Sequence, residues 1–159
     1  MMLSFKLATT EEDLNLISKF KMELMQYHVE FAIAEGINDE ELFNYSREKS
    51  LSTVPQRESY LLFRNDCPVG MAQVEEQISS VDHEPILFVH GIYIQPSARN
   101  GSIGGSFLRY LCKKYKKRIE CECWYDIPAA KLYERAGFRP LVTRYMLPLT
   151  SRFYGSDQN

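Results

Sequence analysis

The sequence predicts an α/β sandwich, a central mixed sheet flanked by helices. Three observations lead there. Strand-like and helix-like segments follow in the order β-α-α-β-β-β-α-β-α-β. Three strands come in direct succession in the middle, so a chain of βαβ units, and with it a doubly wound dinucleotide fold, does not fit. A strand, a glycine-rich turn and a helix start then run together over residues 92–108. At 159 residues the chain is long enough for one domain with a substantial core, expected over residues 1–150, with 151–159 as a polar C-terminal tail.

Each element has its own signal. Leu3 to Ala8 alternates as a first strand. Thr9-Thr10-Glu11-Glu12-Asp13 supplies a helix start, with Thr10 as N-cap and acids in the first turn. Leu14, Ile17, Phe20, Leu24, Tyr27 and Phe31 follow at helical spacing, and Gly36 closes the segment. A second helix is expected from Asn38 to about Ser50. Residues 59–65 and 68–78 read as a hairpin turning at Asn65-Asp66-Cys67-Pro68. Residues 86–95 form the next strand and 102–116 the helix behind the turn. Arg118–Trp124 is a strand, 127–136 a helix with Pro128 in its first turn and Gly137 as C-cap, and Leu141–Leu149 a last strand.

Composition narrows the function classes. A hydrophobic fraction of 45% and a charged fraction of 25% are ordinary for a globular protein. No stretch approaches the roughly 20 apolar residues of a membrane span. Residues 1–25 carry charges throughout, which predicts no signal peptide and a cytoplasmic protein. Cys67, Cys112, Cys121 and Cys123 show no disulfide framework, and no second pair stands at zinc-finger spacing, so reduced thiols and no metal are expected. Cys121 and Cys123 are expected on one face of a strand. The net charge of −2 argues against nucleic-acid binding. Its distribution is uneven. Residues 1–98 carry 7 Lys/Arg against 16 Asp/Glu, and residues 99–159 carry 12 against 5. A positive field over the second half suits a phosphate-bearing ligand, and an acidic first half suits a cationic one. Chance asymmetry on a solvated surface is the bland alternative, and the phosphate-ligand reading stands ahead of it. The basic run Lys113-Lys114-Tyr115-Lys116-Lys117-Arg118 is read as a solvated helix end complementing the dipole.

The turn itself carries chemistry. A glycine-rich turn before a helix leaves backbone N–H groups unpaired at a positive dipole end, ready for phosphate. Gly101, Gly104 and Gly105 are read as allowing a ligand close to the backbone. Downstream lies Asp126-Ile127-Pro128-Ala129-Ala130-Lys131-Leu132-Tyr133-Glu134-Arg135-Ala136-Gly137-Phe138.

Taken together, the two motifs resemble those of the GNAT superfamily of acetyl-CoA-dependent N-acetyltransferases. Its loop, Gln/Arg-x-x-Gly-x-Gly/Ala after a strand ending near a Pro, corresponds to Arg99-Asn100-Gly101-Ser102-Ile103-Gly104 after Ile92-Tyr93-Ile94-Gln95-Pro96. Its later motif corresponds to Asp126, Ala129, Leu132, Tyr133, Gly137 and Phe138. Ser102 stands where the family usually has Gly, and Asp126 where Asn is common. The resemblance implies a GNAT-like sandwich that takes acetyl-CoA as cosubstrate and transfers acetyl to an amine of a small molecule or peptide. The cofactor would lie on Ile92, Tyr93, Ile94, Arg99, Asn100, Gly101, Ser102, Ile103, Gly104, Gly105, Asp126 and Ala129. Tyr133 would protonate the departing sulfur, and the N–H of Ile94 or a neighbour would hold the oxyanion. His90 stands where family members often carry a Glu base. An imidazole suits that task, and a satisfied strand histidine is the bland reading. Glu84 and Glu75 are further base candidates. Lys131 and Arg135 would reach the ribose phosphate or simply face solvent. Tyr27, Phe31, Phe43 and Tyr45, with Glu30, Glu35, Asp39, Glu40 and Glu41, fall in the region that covers the acceptor in the family; core packing and a solvated acidic face are their plain readings. A catalytically silent coenzyme A-binding module remains the alternative function, and a homodimer stays open.

Overall fold

The computed structural model describes residues 1–34, 49–123 and 127–145. Their elements run β1 (Leu3–Leu7), α1 (Glu11–Ala34), β2 (Glu58–Arg64), β3 (Cys67–Ile78), β4 (Pro85–Ile94), a 3-10 turn (Pro96–Ala98), α2 (Ile103–Tyr115), β5 (Arg118–Cys121) and α3 (Ala130–Arg135). The expected second helix lies largely outside the described residues, as do Gly36, Phe43, Tyr45, Glu35, Asp39, Glu40, Glu41, Asp126 and residues 146–159; residues 49–52 are helical.

The local chemistry explains the element ends. Thr10 Oγ1 accepts from the Asp13 N–H (3.1 Å), and Asp13 Oδ2 accepts from the N–H groups of Thr9 (3.2 Å) and Thr10 (3.3 Å). This reciprocal capping box fixes the start of α1. Lys6 pairs with Asp13 at 2.8 Å, and that cation holds the buried carboxyl down to about 2. The β2–β3 hairpin turns on Asn65 (φ 49°) and Asp66 (φ 64°). Both are left-handed, as a two-residue turn matched to strand twist requires, and Asn and Asp tolerate that region best among residues with a side chain.

The strands form one sheet in the order β1-β2-β3-β4-β5. The first three pairings are antiparallel and β4–β5 is parallel, so the sheet is mixed as predicted. A parallel pair needs a long crossover, and α2 with its loop supplies it. Two apolar layers result. Tyr60, Leu62, Ala72, Val74, Leu87 and Val89 face Ile103, Phe107 and Leu111 of α2. Leu61, Met71 and Tyr93 face Ile17 and Phe20 of α1. Alternation along β2 and β3 sorts these residues onto the two faces.

β4 breaks that alternation. Val89 pairs with Val74 and Gly91 with Gln73, leaving His90 as the extra residue of a β-bulge. His90 shares a face with Phe88 (ring centroids 4.8 Å apart), and a Cβ at Gly91 would meet Leu24 of α1 at 3.2 Å. Two successive residues therefore point to the α1 side. Beyond the bulge, Ile92 and Ile94 pack toward α2 and Tyr93 toward α1.

Three expectations are corrected. The strand expected over 118–124 ends at Cys121, because β4 and β5 pair only from Ile86↔Arg118 to Val89↔Cys121. Cys121 and Cys123 consequently do not share a strand face. The expected last strand shows no strand in its described part, 141–145, where Leu141 and Val142 are exposed and so lack the packing that holds an alternating segment in a sheet. The basic run is not merely solvated. Lys114 donates to the Tyr60 hydroxyl (2.5 Å), Lys117 pairs with Glu76, and Arg118 pairs with Asp82 at 2.6 Å.

Candidate active site

β5 accompanies β4 only as far as Val89. From the bulge onward β4 has β3 on one side and, among the described residues, an open edge on the other. A Cβ at Gly70 would lie 2.2 Å from the Tyr93 carbonyl oxygen, so that carbonyl faces β3. The Ile94 carbonyl instead accepts from Arg99 Nε (2.9 Å), outside the sheet. Strand parity then turns the N–H groups of Ile92 and Ile94 to the open edge.

The loop beyond β4 is shaped by backbone conformation. Asn100 (φ 62°) and Ser102 (φ 55°) are left-handed on either side of Gly101. Such alternation gathers successive N–H groups into an anion-binding concavity. Ser102 is the N-cap residue of α2 but caps nothing; its hydroxyl donates to the Gly101 carbonyl (2.7 Å). The Ser106 N–H bonds back to the Ser102 carbonyl (2.9 Å), and the first turn of α2 holds no acid. The N–H groups of Ile103, Gly104 and Gly105 head the helix without a side-chain cap among the described residues.

The three glycines do not share one job. A Cβ at Gly101 would lie 2.2 Å from Arg64 Nη2, and one at Gly104 would lie 2.8 Å from Leu132 Cδ2 and 3.6 Å from Ile94 Cδ1. On the side where a Cβ would stand, Gly101 thus faces a guanidinium and Gly104 a leucine of the protein itself. A Cβ at Gly105 would meet only Arg109, at 3.8 Å. Arg64, which no sequence pattern singled out, holds the loop from behind by donating to the Ala98 carbonyl (2.5 Å).

α3 closes the far side. A turn from Ile127 leads into it through bonds from Ala130 to Ile127 and from Lys131 to Pro128. Its end is a full Schellman motif. Phe138 N–H bonds to the Tyr133 carbonyl (2.9 Å) and Gly137 N–H to the Glu134 carbonyl (3.0 Å), with Gly137 at φ 96°. Phe138 and Tyr133 make the accompanying apolar contact, ring centroids 5.3 Å apart. The spacing Tyr-x-x-x-Gly-Phe is thus the physical clamp on Tyr133. Tyr133 is buried, and burial followed by the nearby Cys121 and Cys123 holds its phenol well above the ordinary value, so the hydroxyl is a neutral donor. Cys121 is itself pushed up to about 12, chiefly by burial, which keeps that thiol protonated and inert. Lys131, Arg135 and Ala129 are exposed.

His90 hydrogen-bonds Glu75 Oε2 through Nε2 (2.8 Å). Burial lowers its pKa against the opposing pull of Glu75, so the ring is neutral near pH 7. Glu84 sits exposed in the β3–β4 connection, where its N–H bonds Asp82. Glu75 and His90 therefore act as one pair, and Glu84 stands apart from it. Lys21 of α1 lies buried nearby, donating to Thr53 Oγ1 (2.8 Å) and Gln73 Oε1; burial, then Arg57, brings it down to about 8. A groove of about 300 Å³ runs past His90, Phe88, Gln77, Glu120 and Glu122. A second cavity, about 470 Å³, opens between α1 and the end of β4. Arg99 turns toward it, its guanidinium 5.3 Å from the Tyr27 ring and 5.9 Å from that of Tyr93.

A strand edge, an uncapped helix start and the helix that carries a neutral buried phenol thus come together where Ile94, Gly104 and Leu132 meet. The profile of the Acetyltransferase (GNAT) family matches residues 22–138. The chain belongs to this GNAT acetyltransferase family. As a GNAT member it is an acyltransferase by family. Its fold is shared with solved structures of low identity. One, from Pyrococcus furiosus and provisionally named an acetyl transferase, is 20% identical and superposes with TM-score 0.73 over 92% of this chain and 99% of that one. A GCN5-related N-acetyltransferase from Ralstonia eutropha JMP134 is 13% identical, with TM-score 0.62 over 94% and 100%. AAC(6')-Iy, solved with the bisubstrate analog CoA-S-monomethyl-acetylneamine, is 14% identical, with TM-score 0.57 over 93% and 99%. Among curated proteins no sequence matches. No described helix is long and apolar enough to cross a membrane, and no described group of His, Cys, Asp and Glu is arranged to hold a metal.

Proposed function

We propose that this GNAT chain is an N-acetyltransferase that moves the acetyl group of acetyl-CoA to a primary amine of a small molecule or of a peptide or protein. The observation that carries the reading is the departure of β4 from β5 after Val89, which leaves a strand edge beside the uncapped start of α2, where Leu132 of the helix that carries Tyr133 also packs. The N–H groups at the head of α2 and in the loop from Arg99 to Gly105 bind the pyrophosphate. The open edge at Ile92 and Ile94, on either side of Tyr93, pairs with the amide-bearing arm, and the Ile94 N–H donates to the oxyanion. Asp126 and Ala129 border the cofactor from the α3 side. The amine nitrogen bonds the thioester carbon as the C–S bond breaks. Tyr133 gives its proton to the leaving sulfur. His90 takes the proton lost by the amine, directly or through water. In the neutral ring Nε2–H donates to Glu75, which leaves Nδ1 as the accepting atom. No metal is needed for this chemistry, and the enzyme works in the cytoplasm.

Release of free thiol from acetyl-CoA over a panel of amines tests the activity. Tyr133→Phe should retain cofactor affinity by calorimetry and lower kcat by roughly 10²–10⁴, the usual worth of a positioned acid. An unchanged kcat, with chemistry shown to limit the rate, removes Tyr133 from the mechanism. Tight acetyl-CoA binding with no turnover on any amine would instead make the chain a cofactor-binding module.

A further inference from the structure

The cavity of about 470 Å³ between α1 and the end of β4 lies beside the open strand edge and is lined by Met22, Glu23, Tyr27, Glu30, Tyr93 and Arg99. Its volume is that of a small-molecule site. Residues 23, 26/27 and 30 recur one helical turn apart, so α1 presents one continuous wall to it. The two carboxylates in that wall differ. Glu30 accepts from Gln26 (3.0 Å) on its own helix. Glu23 faces the Tyr93 hydroxyl and, among the described ion pairs, has no cation. Burial and that carboxylate together push the Tyr93 phenol up to about 12, so the hydroxyl stays a donor and cannot neutralise Glu23. The remaining lining is the rings of Tyr27 and Tyr93, the Met22 thioether, Pro96, the Gln26 amide and the Arg99 guanidinium. The rings of Tyr27 and Tyr93 already face one cation, the Arg99 guanidinium.

We infer that this cavity takes the acceptor as a small cationic amine carried on an apolar body, with the Glu23 carboxylate as the counter-ion of its ammonium. The inference rests on the acetyltransferase reading and deepens it; His90 does not line this cavity, so the proton that the amine sheds reaches it through water. The ammonium loses its hydration on entry and regains a charge-assisted hydrogen bond by donating to Glu23. The apolar body lies against Met22 and the two tyrosine rings. A carboxylate on the acceptor would meet Glu23 and Glu30 at short range. A long peptide would have to leave the cavity.

The test is equilibrium binding, measured apart from turnover. Phenethylamine, β-alanine and a lysine-containing peptide are titrated into the protein loaded with coenzyme A, and acetyl-CoA is titrated separately into wild type and Glu23→Gln. Phenethylamine should bind more tightly than β-alanine or the peptide. Glu23→Gln should weaken it by about tenfold to a hundredfold, the worth of one hydrogen bond to a charged group, while acetyl-CoA affinity stays the same. Glu30→Gln should change it far less. Equal phenethylamine affinity in Glu23→Gln, or tighter binding of β-alanine or the peptide, overturns the inference even if acetyl-CoA binds well. Failure of acetyl-CoA to bind wild type overturns the acetyltransferase reading as well.

Discussion

One imidazole illustrates how much a single side chain depends on the groups around it. His90 meets Glu75 from β3, Arg57 from before β2, Lys21 from α1 and Phe88 along its own strand. Burial outweighs Glu75, so its pKa falls below the ordinary value near 6.5. A base works in its neutral form, which dominates above that pKa. Activity through His90 should therefore rise with pH through an ionisation on the acid side of 6.5 and be lost as pH falls through it. His90→Gln should flatten that limb of kcat/KM with little change in cofactor affinity, measured with two amines of different pKa to separate substrate titration. A limb that survives unchanged assigns the proton transfer to another group. The histidine was legible in the sequence, but its bulge was not, because alternation alone says nothing of an extra residue. Ser102 is similar. Its left-handed backbone (φ 55°) gives the physical reason why glycine would be at ease there, yet nothing in its side chain announces it.

At the scale of elements the loop glycines meet different neighbours. Gly104 lies under Leu132 and Ile94, so Gly104→Val should disturb the seat of α3 on α2 and lower stability by roughly 1–3 kcal/mol, the usual cost of overpacking. Gly105 faces open space apart from Arg109. Gly105→Ala should leave the melting temperature nearly unchanged and weaken acetyl-CoA binding if ligand phosphate approaches that point. Calorimetry and thermal melts on both variants separate packing from ligand approach. Equal cofactor affinity in Gly105→Ala would move the phosphates away from this turn. The strand–turn–helix order was readable because periodicity, capping residues and Gly137 mark it. The different neighbours of the glycines were not, since they are Arg64, 37 residues before Gly101, and Leu132, 28 residues after Gly104. Of the cavity wall, Tyr27 and Glu30 fell in the region that the resemblance marked, while Glu23 and Gln26 were silent, being part of an ordinary polar helix stripe until β4 is packed opposite it.

At the scale of the whole molecule, the mixed sheet and its two apolar layers follow from strand order and alternation. The acidic and basic halves of the chain meet through Lys117–Glu76 and Arg118–Asp82, so part of the charge asymmetry is neutralised across the sheet. Phe107 anchors the α2 layer, with its ring 5.2 Å from Phe5 and 5.4 Å from Tyr60. Phe107→Ala should cost roughly 3–5 kcal/mol in a denaturant melt. The short β4–β5 pairing could not be read in advance, because it depends on where two distant segments part. That parting has an evolutionary consequence. The chain carries one residue more than its sheet can use. Removing His90 would leave Val89 facing α2, Gly91 facing α1, and Ile92, Tyr93 and Ile94 on the faces they already occupy. A deletion at that codon should fold, keep or raise the melting temperature, and let β4 run on beside the chain beyond Cys121. It should also lose cofactor affinity, which His90→Gln, with the bulge intact, should keep. A lineage released from selection for catalysis would then have a one-step route to a sturdier, inert sheet, and the surplus residue would be the mark of a chain still held to its reaction.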